Sequence, residues 1–345
     1  MSRLRSANSQ AEIVEAVQSR GFVFYSFEES NALAFDSLDI GWPYLARDSS
    51  PSIPTMSNVP GILVKLLGVD FFHSVRVVEL HEPAYLSPEL ADARYDSDRR
   101  EFDRLISLVS KLDGLHTIHL RCSWKCNLEP LSRLRGLKRV RLIMDVEKND
   151  LAFLKGSGVT TLALGGALDD ESLKIISELR GLERLQMDLA WDDIGSTFTN
   201  NGVAELVKLE GLKELRLNSD LVDDDVAEPL SKLHNLERLG LRLPATKSPV
   251  VHHIALKSLR DIRLLSMVID SDFFRLIGEM ERIEILCLGD SRGYQELSEV
   301  DFEILMNSRS LQEVHLGDIV CNEEQYRSLV KKFGEDSFSA TKGRQ

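Results

Sequence analysis

The stretch Leu212-Lys213-Glu214-Leu215-Arg216-Leu217 is the clearest copy of a short pattern that recurs along most of this 345-residue chain. The pattern places apolar residues at relative positions 0, 3 and 5 of a six-residue unit. Its ten copies are Val75/Val78/Leu80, Leu115/Ile118/Leu120, Leu137/Val140/Leu142, Val159/Leu162/Leu164, Leu182/Leu185/Met187, Leu212/Leu215/Leu217, Leu236/Leu239/Leu241, Leu259/Ile262/Leu264, Ile283/Leu286/Leu288 and Leu311/Val314/Leu316. Because alternation at positions 3 and 5 is typical of a strand with one buried face, the chain is predicted to be a repeat array.

Most copies begin a little over twenty residues after the preceding copy, which is the period of leucine-rich repeats, each a short strand followed by a helix or helical turn. Gly or Asn stands just before position 0 in several copies, as in Gly114, Gly136, Gly211 and Asn235. These residues accept the backbone conformation in which a helix commonly ends. The sequence therefore predicts an α/β leucine-rich-repeat solenoid, a horseshoe with a curved parallel sheet on its concave face and helices on its convex face.

The predicted organisation has three parts: an N-terminal α+β cap over residues 1–74, a solenoid of about ten repeats over 75–320, and a closing helix and tail over 321–345. A solenoid end exposes an apolar cross-section, so a cap is expected. Residues 11–17 are predicted to be a helix and Phe22–Phe27 a strand. Relative position 8, where many leucine-rich repeats carry Asn, holds other residues here, such as Ser123, Asp145 and Ala167. The loops after the strands are therefore expected to be less regular.

The cap also carries a family resemblance. Its helix, aromatic strand and Pro-rich loop are followed by Pro60-Gly61 and by Leu66-Leu67-Gly68-Val69-Asp70-Phe71-Phe72. This order resembles bacterial leucine-rich-repeat proteins of a kind common in planctomycetes, loosely grouped with internalin-like repeats. The resemblance covers nearly the whole chain and implies that the chain is the soluble part of a membrane-tethered protein. It implies no activity, and no functional residues carry over from it.

Composition favours a soluble protein. The chain has no run of eighteen apolar residues and no signal-peptide pattern. Its four cysteines fit no dense disulfide framework, which favours a reducing compartment and hence the cytoplasm. The formal net charge of −13 disfavours general binding of nucleic acid.

Arginine is frequent at the strand positions that should face away from the core. These arginines are Arg121, Arg139, Arg141, Arg184, Arg216, Arg238, Arg242 and Arg263. One interpretation is that they capture a protein or peptide, acidic or phosphorylated, because Arg makes bidentate contacts with carboxylate and phosphate. The other is that they pair with Glu214, Asp261, Glu313 and other acids of the chain, in exposed pairs that each contribute about 0–1 kcal/mol.

Two longer units supply further candidates for partner binding. The segment Asp188–Asn201 contains Trp191, and the segment Asp290–Glu299 contains Tyr294. Both extra lengths fall between strand and helix, and insertions of this kind often form the binding rim of a solenoid. The alternative for Trp191 is that it folds back to cover the core.

One group of residues offers the ligand types of a zinc site. His116, His119, Cys122 and Cys126 lie within eleven residues. Strand alternation turns His119 outward and Cys122 inward, so convergence is not expected. No metal or other cofactor is predicted, and the sequence contains no phosphate loop, dinucleotide fingerprint or nucleophile elbow.

Three hypotheses of function follow. The first is a non-catalytic interaction module that binds a macromolecular partner through the concave sheet or the enlarged rim loops. The second is an enzyme with its site in the N-terminal cap and the insert over residues 82–100, which would require a deep pocket with convergent ionisable groups. The third is an architectural protein that associates with itself.

Overall fold

The computed structural model describes residues 10–17, 21–24, 75–81, 88–144, 146–187, 196–247, 250, 258–289 and 296–342. The chain forms two compact units, Met1–Gly165 and Gly166–Gln345, called unit 1 and unit 2 below. Each unit is built on its own row of strands, with one strand at each copy of the repeated pattern and one further strand in each unit.

Unit 1 begins with helix α1 at residues 10–17 and strand β1 at Gly21–Phe24, both where the sequence predicts a helix and a strand. The elements that follow are β2 (Val77–His81), α2 (Pro88–Val109), β3 (Thr117–Arg121), β4 (Arg139–Ile143) and β5 (Thr161–Leu164). Short 3₁₀ segments, Glu129–Arg133 and Lys148–Leu154, take the place of full helices between β3 and β5. Strand β1 pairs antiparallel with β2, and β2 to β5 pair in parallel.

Unit 2 continues the same alternation. Its strands are β6 (Arg184–Met187), β7 (Glu214–Asn218), β8 (Arg238–Arg242), β9 (Asp261–Leu265), β10 (Ile285–Gly289), β11 (Glu313–Cys321) and β12 (Phe338–Lys342). Its helices are α3 (Asp170–Ser177), α4 (Asn200–Glu205), α5 (Ala227–Ser231), α6 (Ser271–Glu279), α7 (Glu299–Asn307) and α8 (Glu323–Phe333), with 3₁₀ segments at Leu206–Lys208 and Asp224–Val226. Each strand from β6 to β12 pairs in parallel with the next.

The core of each unit lies under one face of its strands. Positions 3 and 5 of the pattern supply this core, and neighbouring strands align them in register, as in Ile118 with Val140 and Leu215 with Leu239. These side chains are fully or almost fully buried. Burying one such side chain stabilises the fold by roughly 1.5–3 kcal/mol, and each repeat shares its buried leucines with the next. The fold is therefore a leucine-rich-repeat solenoid, as predicted.

Acidic side chains connect successive repeats in this chain, which lacks a row of asparagines at relative position 8. The carboxylate of Asp170 accepts hydrogen bonds from Thr199 N at 2.6 Å, Thr199 Oγ1 at 2.8 Å and Gly202 N at 3.1 Å, and so caps the helix of the next repeat. A side chain at Gly202 would collide with this carboxylate. Asp103 accepts from Asn127 N in unit 1, and Asp224 accepts from Lys247 N in unit 2.

Residues 321–345, predicted to be a closing helix and a tail, contain a strand after the helix. Phe338–Lys342 forms β12, which pairs with β11 across a register shift between His315 and Val320. Gly317, at φ 58°, lies inside this shift. Phe338 is buried and its ring packs against Tyr326 and Phe333 of α8, at centroid distances of 5.4 Å and 6.5 Å. Beyond the last leucine triplet, an aromatic cluster thus covers the core.

Within these described ranges, no helix combines the length and apolar character needed to cross a bilayer.

Candidate functional site on the open sheet faces

Each row of strands has an open face, opposite the core, formed by relative positions 2, 4 and 6. The open face of β3, β4 and β5 in unit 1, called the basic face below, consists of eight residues. They are Thr117, His119, Arg121, Arg139, Arg141, Ile143, Thr161 and Ala163. Three of these eight residues are arginine and none is acidic.

Register fixes the neighbours of each arginine on the basic face. Arg139 lies between Thr117 and Thr161 on the flanking strands, and Arg141 lies between His119 and Ala163. Arg141 is 7% exposed, while Arg121 and Arg139 are half-buried. Because residues two apart on a strand are about 6.7 Å apart and neighbouring strands about 4.8 Å apart, the three guanidinium groups are spread diagonally over β4 and β3.

An acidic and imidazole cluster borders the basic face on β2. Glu79 Oε1 lies 3.6 Å from His119 Nδ1, and Glu79 Oε2 lies 3.6 Å from His81 Nε2. The His81 and His119 rings meet edge to face at 5.5 Å. Burial lowers the pKa of His119 to about 4, although Glu79 opposes the shift. Burial would raise the pKa of Glu79, but His119 and His81 together lower it to about 2. At neutral pH Glu79 is therefore ionised and His119 is neutral.

The pattern of outward arginines in the sequence does not single out Glu79, which is acidic. Glu79 holds position 4 of the first copy, and it lies directly opposite His119 in the register. The same spacing rule applied one copy earlier would have found it.

The open face of unit 2 pairs its arginines with its own acids. Glu214 is 3% exposed, and its Oε1 lies 3.1 Å from Arg216 Nε. Glu214 Oε2 lies 3.4 Å from Arg238 NH1 on the next strand. Gln186 Nε2 also donates a hydrogen bond to Glu214 Oε1, at 3.0 Å. Arg184 is half-buried and aligns with Glu214 in the register.

Further along unit 2 the same arrangement recurs. Arg263 Nε lies 3.0 Å from Asp261 Oδ1, and Arg242 NH1 donates to Asn218 Oδ1 at 3.0 Å. His315 lies 2.8 Å from Glu313 and 2.7 Å from Ser339 Oγ. Internal pairing, the second interpretation drawn from the sequence, therefore describes Arg216, Arg238 and Arg263.

Gly240 has no side chain and so leaves space for the side chain of Arg216 on this face. Gly240 lies beside Arg216 in the register, and a Cβ at Gly240 would come within 3.1 Å of Arg216 Cγ. The stem of Arg216 thus lies over bare backbone, which leaves the side chain only 6% exposed. Such a buried guanidinium needs its acidic partner, because an uncompensated buried charge is strongly destabilising.

The remaining partner-binding candidates, Trp191 and Tyr294, lie outside the described residues, and so does most of the longer loop that contains each of them.

The four residues that offer the ligand types of a zinc site lie in three different places. His119 lies on the open face with Glu79, whereas Cys122 and Cys126 are buried with their sulfur atoms 3.2 Å apart. His116 contacts Arg76, with His116 Nδ1 3.4 Å from Arg76 NH1. Among the residues that the structure describes, no group of three or more His, Cys, Asp or Glu side chains is arranged to hold a metal ion.

The enzyme hypothesis requires a deep pocket with convergent ionisable groups, and two clefts lie in unit 1. The larger, about 350 Å³, lies along the two 3₁₀ segments of unit 1, and its ionisable lining residues are Glu129 and Asp150. Asp150 already caps the second segment through a hydrogen bond from Glu147 N. The smaller, about 210 Å³, is lined by Glu12, Arg104 and Lys111 among others. Neither is a deep pocket with convergent catalytic groups.

No protein-family model matches the chain, and no curated protein matches it. Among solved structures, an internalin from Listeria monocytogenes is 13% identical, with a TM-score of 0.45 over 82% of this chain and 89% of the internalin. A second internalin of that species, internalin C2, is 18% identical, with a TM-score of 0.36 over 70% of this chain and 80% of its own. TLR13, solved in complex with ssRNA13, is 17% identical, with a TM-score of 0.42 over 67% of this chain and 33% of its own.

Proposed function

We propose that the chain is a non-catalytic interaction module that binds an acidic or phosphorylated segment of a partner protein on the basic face of unit 1. The observation that carries the proposal is the composition of that face. Three arginines share it with two threonines and a histidine, and no carboxylate belongs to it.

Electrostatics supports this choice of surface. The whole chain has a formal net charge of −13, so a cluster of three arginines is a local exception to its charge. An anionic partner is repelled by most of the surface and attracted here. This contrast in charge determines mainly where a partner docks and in which orientation. Its effect on affinity is smaller.

The geometry fits an extended anionic segment. Arg139 and Arg141 are two residues apart on β4, a spacing of about 6.7 Å, which is also the spacing of alternate side chains in an extended peptide. Carboxylate or phosphate groups at alternate positions of such a peptide therefore match the spacing of the arginines on this strand.

Unit 2 supports the proposal by contrast. There Glu214 lies between Arg216 and Arg238, and Asp261 lies beside Arg263, so these arginines already have carboxylate partners. An incoming anion would have to displace a carboxylate from them. The eight residues of the basic face of unit 1, in contrast, include three arginines and no acid.

The test measures binding of fluorescent extended peptides by anisotropy at low and high salt. One peptide carries Glu at alternate positions, one carries phosphoserine there, and one carries Gln. The double variant Arg121→Gln/Arg139→Gln should bind the anionic peptides at least about 10-fold more weakly, since a charge-assisted hydrogen bond contributes about 1.5–3 kcal/mol. Binding by the unaltered protein should weaken as salt rises.

The matched control is Arg133→Gln/Arg135→Gln, which removes the same charge from exposed positions of unit 1 away from the sheet face. Its affinity should stay within about 2-fold of the unaltered protein, since surface charges act weakly at a distance. Equal weakening by both double variants would show only a general charge effect. Equal binding of the Gln peptide would also contradict the proposal.

A further inference from the structure

The loop after β3 brings two of the four cysteines together. Cys122 continues the strand direction, with its backbone N–H donating to Ile143 O at 3.0 Å. The chain then turns, and Cys126 returns to the same place, so that the two sulfur atoms lie 3.2 Å apart. Cys122 is 1% exposed and Cys126 is 3% exposed.

Contacts of Trp124 and Asn127 stabilise the turn that the chain makes at these cysteines. Cys122 Sγ lies 3.2 Å and Cys126 Sγ 3.8 Å from the carbonyl oxygen of Trp124. The Trp124 ring is itself buried against Phe102 of α2, edge to face at 6.0 Å. Asn127, the next residue, donates its N–H to Asp103 of the same helix. The fold therefore fixes the sulfur pair before any bond forms.

From this geometry we propose that Cys122 and Cys126 form a reversible intramolecular disulfide by exchange with a low-molecular-weight disulfide such as oxidised glutathione. A disulfide has an S–S distance of about 2.05 Å, so the sulfur atoms need to approach by about 1 Å. The ring closes only a short loop that is already folded, so the native chain loses little freedom when it forms.

The exchange proceeds in two balanced steps. One cysteine thiolate attacks a sulfur of the oxidant, forms a mixed disulfide and releases one thiol. The second cysteine then attacks the protein sulfur of that mixed disulfide and releases the second thiol, so the protein loses two electrons and two protons to the oxidant. The second step is fast in this loop, because the attacking sulfur is already in contact with its target.

Burial controls the rate of the first step. The neighbouring Cys122 thiol and the surrounding apolar residues raise the pKa of the Cys126 thiol, which disfavours the reactive thiolate. The oxidant also needs access to sulfur atoms that are almost fully covered. Oxidation of the folded protein is therefore slow, and the mixed disulfide does not accumulate.

The other two cysteines provide internal controls. Cys321 is buried in β11 of unit 2, where burial raises its pKa to about 11. Cys287 is half-exposed on β10 of the same unit. Exchange at Cys287 or Cys321 should give at most a stable glutathione adduct. Exchange at Cys122 or Cys126 should continue to the intramolecular disulfide.

The proposal is tested on the folded full-length chain by tryptic digestion without reductant. Trypsin cleaves after Lys125, which lies between the two cysteines, so only a disulfide keeps the two peptides together. After incubation with oxidised glutathione, the peptides 122–125 and 126–133 should be recovered as one linked species lacking two hydrogens. The variant Cys287→Ser/Cys321→Ser should give the same species. Cys122→Ser should lose it, leaving Cys126 reduced or carrying glutathione.

The proposal is overturned if the folded protein keeps both thiols, or carries only glutathione adducts at them, under conditions in which the urea-unfolded chain forms the ring. Linkage of Cys122 or Cys126 to Cys287 or Cys321 would overturn it equally. Because no partner is added, this result does not depend on the proposed binding function.

Discussion

Arg141 and Arg216 occupy the same position of their respective repeats and are almost equally buried, but their neighbours differ. Arg216 lies beside Gly240 and contacts Glu214 at 3.1 Å, so its charge is compensated within the chain. Arg141 lies between His119 and Ala163, and Glu79 lies on the far side of His119 in the register. Residues on the same and adjacent strands therefore determine which charges lie near an arginine at this position.

His119 makes unit 1 sensitive to pH. Its folded-state pKa of about 4 lies below the value of 6.5 for an unperturbed imidazole. Between these pH values the unfolded chain binds more protons than the folded chain, so stability rises with pH. The stability that depends on a neutral His119 is fully present above about pH 6.5 and is lost as the pH falls towards 4.

Replacing this histidine should therefore flatten the pH dependence of unfolding. Between pH 7.5 and pH 5, the decrease in the free energy of unfolding, measured with urea, should be about 2 kcal/mol smaller in His119→Gln than in the unaltered protein. This value follows from the difference between the folded and unfolded pKa of His119. His234→Gln, which removes an exposed imidazole from unit 2, should keep the original dependence. If both variants follow the unaltered protein, His119 is not the group responsible.

At the scale of elements, the strands were easier to predict than what joins them. Positions 3 and 5 of each copy, such as Ile118 and Leu120, are fixed by a period of two and by burial, and every described strand from β2 to β11 contains them. The apolar spacing of helix α2 begins at Phe102, so the sequence indicates only its second half. The helix begins at Pro88, and its polar first half has no apolar period from which a helix could be predicted.

Strand β12 escaped prediction for a similar reason. Phe338-Ser339-Ala340-Thr341-Lys342 has a single large apolar residue, which is too little for a period-two pattern. Its pairing depends on β11, whose backbone edge it covers, and on the aromatic cluster with α8. These are tertiary interactions that a local pattern does not contain.

Lys332 connects two of the last helices and gives a prediction at this scale. Its ammonium group donates to the carbonyl oxygens of Leu305, Met306 and Ser308 at 2.7–2.8 Å, where α7 ends. A cation at this end of a helix satisfies carbonyl groups that have no partner inside the helix. Partial burial lowers the pKa of Lys332.

Lys332→Met keeps the aliphatic stem and removes the three hydrogen bonds. It should lower the free energy of unfolding by about 1–3 kcal/mol, because buried carbonyls lose a charged donor. Lys331→Met removes the same charge from the adjacent exposed residue and should change stability by less than about 0.5 kcal/mol. Thermal unfolding of the two variants compares them directly, and equal losses would contradict a capping role for Lys332.

At the scale of the whole molecule, the repeated pattern predicted the fold but not the distribution of charge. The sequence placed eight arginines on outward strand positions inside a chain of net charge −13. It could not decide which of them meet carboxylates, because that depends on which strands become neighbours in the register. Strand pairing assigns Glu214 and Asp261 to the arginines of unit 2 and leaves the basic face of β3 to β5 without an acid of its own.

The most direct measurement of the central claim is an arginine footprint. The folded chain is treated with phenylglyoxal in the presence and absence of a saturating phosphoserine peptide, and modification of each arginine is measured by mass spectrometry. The peptide should protect Arg121 and Arg139, while Arg133, Arg135 and the exposed Arg242 of unit 2 should react as before. Protection of Arg238 and Arg242 with no change at Arg121 and Arg139 would contradict the claim that unit 1 holds the anion site.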